Sequence, residues 1–260
     1  MPGSHHNMEK MIRSTKKPIL LMSHLVLGYP GIEENRQVIA EMVAGGVDLM
    51  ELQIPFSEPI ADGPMIAKAN QDALDNGFKV RAGLDFVAEA VKAHKIPFLI
   101  MTYYNILMAY GVEEFIKEAA RIGVKGLIIP DLPPQEATEA IAFCQKYGQG
   151  ELDWIQLMTP TSSDARLAEI GKNASGFVYC VARKGVTGKK TDFGDDLAKF
   201  IKRCRAATNL PLAVGFGVKS AADVSQLSEL AEIAVVGTAA IKIHEEQGAK
   251  AVGEFFKGLR

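Results

Sequence analysis

One pattern repeats along the whole chain: a short apolar run, a turn, and then a stretch with helical hydrophobic spacing. The apolar runs are rich in Ile, Val and Leu, which is typical of strands that are buried on both faces of a parallel sheet. They cover residues 19–27, 48–52, 97–101, 126–129, 154–158, 176–181, 211–214 and 233–236. Eight strands that are each followed by a helix predict an α/β fold, a closed (β/α)8 TIM barrel.

The stretches between the runs place apolar residues at i, i+3 and i+4, the spacing of a helix that packs on one face. These predicted helices cover residues 33–44, 84–94, 112–122, 135–147, 165–171, 195–206, 221–230 and 240–259. The connection over residues 60–80 is long for a barrel loop, which indicates an extra helix within it.

Length and turn chemistry favour one domain. The chain has 260 residues, and a single barrel of this kind typically has roughly 250. An open, doubly wound sheet is the alternative, but its G-x-G-x-x-G turn is absent after the first strand, where the sequence reads LGYPG. We therefore predict one catalytic barrel over residues 13–260, and a tag remnant or disordered N-terminus over residues 1–12.

Composition excludes several classes of protein. The net charge is −2 and the charges are mixed, which argues against a nucleic-acid binder. The three cysteines, Cys144, Cys180 and Cys204, are too few and too scattered for a disulfide scaffold or a zinc site, and they indicate reduced thiols in the cytoplasm. No apolar stretch reaches 18 residues, so the sequence predicts no transmembrane helix.

In a barrel of this type, catalytic residues lie at the carboxyl ends of the strands. Glu51 interrupts the second apolar run, and Asp62 follows in a loop with three prolines, which restrict its conformations. Alternation leaves open whether Glu51 or its neighbours Met50 and Leu52 face inward. An inward carboxylate suits acid/base catalysis. The alternatives are that Glu51 pairs with a nearby Lys or Arg, and that Asp62 only forms a turn before Gly63.

Two glycine turns predict an anion site. One is Gly215-Phe216-Gly217 after the seventh run, and the other is Gly237-Thr238 after the eighth. The loops after strands seven and eight of barrels often bind phosphate through backbone N–H groups and a helix N-terminus. The alternative is that these glycines serve only tight turns.

The segment 183–194 follows the sixth run and is rich in Gly, Lys and Thr. We predict a mobile lid that closes over the substrate, with a solvated surface loop as the alternative.

Several motifs together resemble one family, the tryptophan synthase alpha subunits. Residues 51–64 read ELQIPFSEPIADGP, which resembles the strand-two signature of that family. Later motifs follow in the family's order: DLPP at 131–134, RKGVTG at 183–188, GFG at 215–217 and GTAAI at 237–241. The resemblance covers about residues 18–258. It implies a lyase that cleaves indole-3-glycerol phosphate to indole and glyceraldehyde 3-phosphate, without a cofactor or a metal.

The resemblance also implies roles for individual residues. Glu51 is the general acid/base, and Asp62 accepts the indole N–H. Residues that line the indole site are Tyr179, Ile66, Met101 and Phe216. Residues that bind phosphate are Gly188, Gly217, Gly237 and Thr238, while Arg183 and Thr187 belong to the lid. Residues expected at the interface with a beta subunit, in an alpha2-beta2 tetramer, are Glu58, Tyr103 and Asn105.

Several positions depart from the family's usual pattern. Gln53 stands where a glycine is common, and Glu58 replaces an aspartate near the beta-subunit contact. His24 occupies a strand-one position that is often aromatic; we interpret it as a core residue without a catalytic role. Three other functions stay open: a barrel that releases free indole without a partner, a weak enzyme retained as an allosteric activator, and a phosphate-binding isomerase.

Overall fold

Each apolar run forms a strand in the computed structural model, which describes residues 7–182, 195–215 and 217–260. Neighbouring strands pair in parallel and in chain order, and the eighth strand closes the barrel against the first. The strands are β1 (Leu20–Val26), β2 (Leu49–Gln53), β3 (Phe98–Met101), β4 (Gly126–Ile128), β5 (Asp153–Met158), β6 (Val178–Val181), β7 (Leu212–Gly215) and β8 (Ile233–Val236). The predicted (β/α)8 barrel is confirmed.

Twelve helices surround this barrel in the described residues. They are α1 (Asn7–Ser14), α2 (Ile32–Ala44), α3 (Pro64–Asp75), α4 (Val80–Ala93), α5 (Tyr104–Tyr110), α6 (Val112–Arg121), α7 (Thr138–Gly148), α8 (Asp164–Asn173), α9 (Asp195–Ala207), α10 (Ala221–Ser228), α11 (Thr238–Gln247) and α12 (Ala249–Lys257). The helix expected within 60–80 is α3. None of these helices is long and apolar enough to cross a membrane.

Two features of the helices differ from the sequence prediction. The single helix predicted over residues 240–259 is two helices, because Gly248 between α11 and α12 has a φ of 82°, a left-handed conformation that interrupts an α-helix. The short helix α5 after β3 was not predicted. Asp131 accepts the Tyr104 N–H at 2.9 Å, so a carboxylate from the loop after β4 stabilises the first turn of α5.

Strand alternation divides the core into two layers. Residues such as Leu49 pack inside the barrel, whereas Met50 and Leu52 pack between the barrel and the helices. Successive side chains of a strand point to opposite faces. Glu51 therefore points into the barrel, at its carboxyl end, which answers the question that the sequence left open.

The N-terminal segment differs from the prediction for residues 1–12. Residues 7–14 form α1, and Met8 and Ile12 are buried with the residues that fill the barrel interior. The physical reason is their spacing, because residues four apart lie on the same face of a helix. The Met8 methyl lies close to Gly126, the first residue of β4, so α1 covers the end of the barrel opposite to the carboxyl ends of the strands.

Candidate active site

The carboxyl ends of the strands surround a cavity of about 430 Å³. Most of the site residues predicted from the sequence line it. These are Glu51, Asp62, Ile66, Met101, Tyr179, Gly217, Gly237 and Thr238. The cavity is lined by both the predicted carboxylates and the predicted anion site, which lets one substrate contact both. The predicted residues Arg183, Thr187, Gly188 and Phe216 lie outside the described residues.

Glu51 is held by a histidine on the neighbouring strand. Glu51 and His24 face each other in the register of β2 and β1, and both are almost completely buried. His24 Nδ1 lies 2.8 Å from Glu51 Oε1. Within the described residues the partner of Glu51 is therefore His24 and not a Lys or Arg. The other carboxylate oxygen, Oε2, is buried and has no hydrogen-bond partner among the residues that the structure describes.

His24 thus has a place in the site that the sequence interpretation did not give it. Burial by itself lowers the pKa of an imidazole, because it disfavours the charged form. The hydrogen bond and the charge of Glu51 outweigh burial, and with smaller contributions from Asp62 and Gln53 they raise the pKa of His24 above its ordinary value. Glu51 therefore stabilises the charged form of the His24 imidazole.

Asp62 is half-buried and accepts two side-chain hydrogen bonds on one oxygen. Gln53 Nε2 donates to its Oδ2 at 2.7 Å, and the Tyr103 hydroxyl donates to the same atom at 3.0 Å. Burial raises the pKa of Asp62, and the charge of His24 and these two hydrogen bonds oppose that rise. Asp62 is thus a positioned acceptor and not only a turn residue.

Tyr103, which is expected near the interface with a beta subunit, contacts the loop that carries Asp62. Its side chain is fully buried, and its ring stacks on Phe56 with the ring centroids 5.1 Å apart. Its hydroxyl also accepts the Ala61 N–H at 3.1 Å. Tyr103 therefore fixes both the backbone and the side chain of the loop that carries Asp62. Glu58 and Asn105, the other two residues expected at an interface, are exposed.

Asn70 on α3 is a structural residue of this site that the sequence reading missed. It is fully buried, and its side-chain oxygen accepts the Phe56 N–H at 2.9 Å. The same oxygen lies 3.4 Å from Gln53 Nε2. The signal in the sequence is weak, because a single Asn within an amphipathic helix is more often exposed.

The opposite side of the cavity is built from backbone. Helix α11 begins directly after Gly237, and no side chain of the described residues caps its first N–H groups. By contrast, Ser220 and Asp223 cap the start of α10 through a reciprocal pair of hydrogen bonds. Of these two helix starts, α11 is the one whose uncapped N–H groups favour an anion. Gly217, with a φ of 74°, brings the loop after β7 to the same cavity.

Gly215 is required for a steric reason. A Cβ atom at this position would lie 2.9 Å from the ring of Tyr179, which lines the cavity from β6. The absence of a side chain on β7 therefore makes room for an aromatic side chain on its neighbour. Among the described residues no group of His, Cys, Asp and Glu is arranged to hold a metal ion.

These features define a class of protein. A (β/α)8 barrel with a buried carboxylate, a second positioned carboxylate and a free helix N-terminus around one cavity is an enzyme suited to acid/base chemistry on an anionic substrate. The family model described as "Tryptophan synthase alpha chain" matches residues 10–255.

Known proteins of this family are similar over almost the whole chain. The tryptophan synthase alpha chain of Desulfotalea psychrophila is 49% identical over 97% of this chain and 99% of its own length. That of Syntrophotalea carbinolica is 50% identical over 97% of this chain and 100% of its own. A structure of Mycobacterium tuberculosis tryptophan synthase aligns with a TM-score of 0.89 at 32% identity, and covers 98% of this chain and 97% of that one.

The chain belongs to the tryptophan synthase alpha chain family. It is a lyase of tryptophan biosynthesis, and its reaction is the cleavage of indole-3-glycerol phosphate to indole and glyceraldehyde 3-phosphate.

Proposed function

We propose that Glu51 and Asp62 carry out this cleavage as a retro-aldol reaction in the cavity at the carboxyl ends of the strands. The observation that supports the proposal most directly is the state of Glu51. One of its oxygens is held by His24, and the other is buried with no partner among the described residues, in a side chain that lines the cavity. A general acid/base needs such an oxygen within reach of the substrate.

The reaction requires two proton transfers, and Glu51 performs both. The protonated carboxyl gives its proton to the ring carbon of indole that bears the glycerol chain, and the ring becomes a cation at its nitrogen. The carboxylate then takes the proton of the adjacent glycerol hydroxyl. The carbon–carbon bond breaks, its electron pair neutralises the ring, and the hydroxyl becomes the aldehyde of glyceraldehyde 3-phosphate. Glu51 ends in the state in which it began.

Asp62 stabilises the charged intermediate. Its carboxylate accepts the indole N–H and lies close to the positive charge that develops on that nitrogen. Preorganised charge of this kind acts strongly in a site that excludes water. The hydrogen bonds from Gln53 and Tyr103 support this role, because they fix the carboxylate before the substrate binds.

The phosphate of the substrate binds at the opposite side of the cavity. The backbone N–H groups after Gly217 and Gly237, the hydroxyl of Thr238 and the N-terminus of α11 are its proposed donors, and Gly188 adds a further one. The residues Tyr179, Ile66, Met101 and Phe216 flank the indole. Arg183 and Thr187 belong to a lid over the site.

The proposed partner is a tryptophan synthase beta subunit, in an alpha2-beta2 tetramer to which indole is passed directly. Similar solved structures include a tryptophan synthase complex from Pyrococcus furiosus, with a TM-score of 0.81. Ile60, in the loop after β2, is 81% exposed, and Met108, on α5, is 60% exposed; they are close in sequence to Glu58 and Asn105. A contiguous exposed apolar patch is typical of an interaction surface, and these two side chains would contribute to one at the proposed interface. We also place the protein in the cytoplasm, in keeping with three free cysteines.

The test is indole release from indole-3-glycerol phosphate by the wild-type chain and by Glu51→Gln, each alone and with a cognate beta subunit. We expect weak activity alone that rises with the partner, and a loss of about 10²–10⁴-fold in kcat for Glu51→Gln with KM almost unchanged. Full turnover by Glu51→Gln would contradict the mechanism. High activity without the partner would instead identify a free-standing producer of indole.

A further inference from the structure

The two carboxylates of the site are each held by a residue that departs from the pattern of the family. His24 contacts Glu51 at 2.8 Å, and Gln53 contacts Asp62 at 2.7 Å. His24 and Gln53 are both polar, inward-facing and almost completely buried, with exposures of 3% and 0%. A buried polar side chain is costly unless it is hydrogen-bonded, so two of them in one cavity need a physical reason.

The two residues are also neighbours of each other. Glu51 and Gln53 lie on the same inward face of β2, and in the strand register Glu51 is opposite His24 on β1. His24 Nε2 and Gln53 Oε1 are both buried and make no hydrogen bond of good geometry with any described residue. His24 Nε2 is a donor when the imidazole is charged, and Gln53 Oε1 is an acceptor. Electrostatically the Gln53 side chain favours the protonated imidazole.

We propose that His24 and Gln53 are positioning residues that form one buried polar chain, Glu51–His24–Gln53–Asp62, and align both carboxylates for the reaction. His24 binds Oε1 of Glu51, so that Oε2 is the oxygen that exchanges protons with the substrate. Gln53 binds Oδ2 of Asp62, so that Oδ1 is left for the indole N–H. This inference rests on the proposed function of the two carboxylates.

The consequences differ from those of a purely structural role. His24 places positive charge beside Asp62 and lowers the pKa of that carboxyl against the effect of burial. The groups that face Asp62 are His24, Glu51, Gln53 and Tyr103. If Asp62 must be ionised to accept the indole N–H, replacing His24 by a neutral residue raises the pKa of Asp62. The acid limb of the profile of kcat/KM against pH then moves to higher pH.

The experiment measures kcat, KM and their pH profiles for His24→Ala, His24→Asn and Gln53→Leu in the complex with the beta subunit. Asn places an uncharged N–H donor close to the position of Nδ1, so it keeps the hydrogen bond to Glu51 and removes the charge. From the strength of hydrogen bonds to charged groups, we expect kcat to fall about 100-fold for His24→Ala and about tenfold for the other two. The acid limb is expected to move upward in both His24 variants.

Matched controls are His94→Asn at the end of α4 and Gln145→Leu on α7, which lie outside the cavity lining and should keep the wild-type profile. Thermal unfolding identifies any variant that is not folded. If folded His24→Ala and Gln53→Leu both keep wild-type kcat and pH profile, or if His24→Asn rescues nothing, the inference is wrong. Glu51→Gln distinguishes failure of the proposed function from failure of this inference. If Glu51→Gln is inactive while the His24 variants have wild-type kinetics, the catalytic role of Glu51 stands and only the positioning role is refuted.

Discussion

The two sides of the cavity are built by different means. On the side of β1, β2 and β3, side chains hold other side chains: His24 holds Glu51, while Gln53 and Tyr103 hold Asp62. On the side of β7 and β8, glycines and the start of α11 present backbone N–H groups. The geometry of the first side depends on the identity of several side chains at once. The geometry of the second side depends mainly on the backbone conformation.

This difference has a chemical reason. A carboxylate that transfers a proton or stabilises a developing charge has to be oriented and kept in the right state of ionisation, and in this site neighbouring side chains adjust both. A phosphate requires several N–H donors and a favourable dipole, which a helix N-terminus supplies. Substitutions on the carboxylate side should therefore change kcat, and single side-chain changes on the phosphate side should change KM by a small factor.

After Glu51→Gln, the largest effect is expected for Asp62→Asn. Loss of the negative charge beside the indole nitrogen should lower kcat about 10²–10³-fold, as loss of a preorganised charge-stabilising group does in other enzymes. KM should change little, because the phosphate side is untouched. Steady-state kinetics of indole release in the complex measure both constants. If kcat/KM fell by the same factor only because KM rose, with kcat unchanged, Asp62 would serve only to bind the substrate.

The same variant should be more stable than the wild type at neutral pH. Burial raises the pKa of Asp62, so the folded protein binds this proton more tightly than the unfolded chain does. Protonated Asp62 therefore stabilises the folded state at low pH, and this stabilisation is lost as the pH rises through the raised pKa of Asp62. Asn has no such ionisation. The Tm of Asp62→Asn should exceed that of the wild type at pH 7, and the difference should shrink below the pKa of an unfolded aspartate, about 3.9.

The sequence predicted the two sides unequally. The spacing of apolar runs predicted the barrel, and the placement of Gly217 and Gly237 after strands seven and eight predicted the anion site, because both follow from the course of the backbone. Glu51 and Asp62 were found because carboxylates are conspicuous at a strand end and in a rigid loop.

The partners of those carboxylates could not be predicted in the same way. His24 is 27 residues from Glu51 in the chain, and Tyr103 is 41 residues from Asp62. Their contacts depend on strand register and on the path of a loop, which a hydrophobic pattern does not specify. For this reason the sequence alone indicates a core residue without a catalytic role at His24, and at Tyr103 it indicates only a residue near the partner interface.

A smaller effect is expected for Tyr103→Phe. The change removes the hydroxyl that donates to Asp62 and accepts the Ala61 N–H, and it keeps the ring that stacks on Phe56. We expect kcat/KM to fall about tenfold and the free energy of unfolding to fall by about 1–3 kcal/mol, since hydrogen bonds to a charged group and to a backbone N–H are lost. Kinetics and urea unfolding of the same sample measure the two quantities.

The matched control for this change is Tyr110→Phe. The Tyr110 hydroxyl accepts from Arg81 at 2.7 Å in an exposed contact outside the cavity lining, so its removal should leave kcat/KM unchanged. A Tyr103→Phe variant with wild-type kinetics and reduced stability would show that the loop holds Asp62 without this hydroxyl. Among the side chains that bind it, Asp62 would then be held by Gln53 alone.

The smallest effect is expected for Thr238→Val, the change that tests the backbone side. Val keeps the shape of Thr and every N–H group at the start of α11, and removes only the hydroxyl at the cavity. KM for indole-3-glycerol phosphate should rise about twofold to fivefold, the effect of one neutral hydrogen bond, with kcat unchanged. Thr138→Val is the matched control, because Thr138 is the first residue of α7 and lies outside the cavity lining. If Thr238→Val lowers kcat as much as Tyr103→Phe lowers kcat/KM, the phosphate side also acts through side chains, and the contrast between the two sides does not hold.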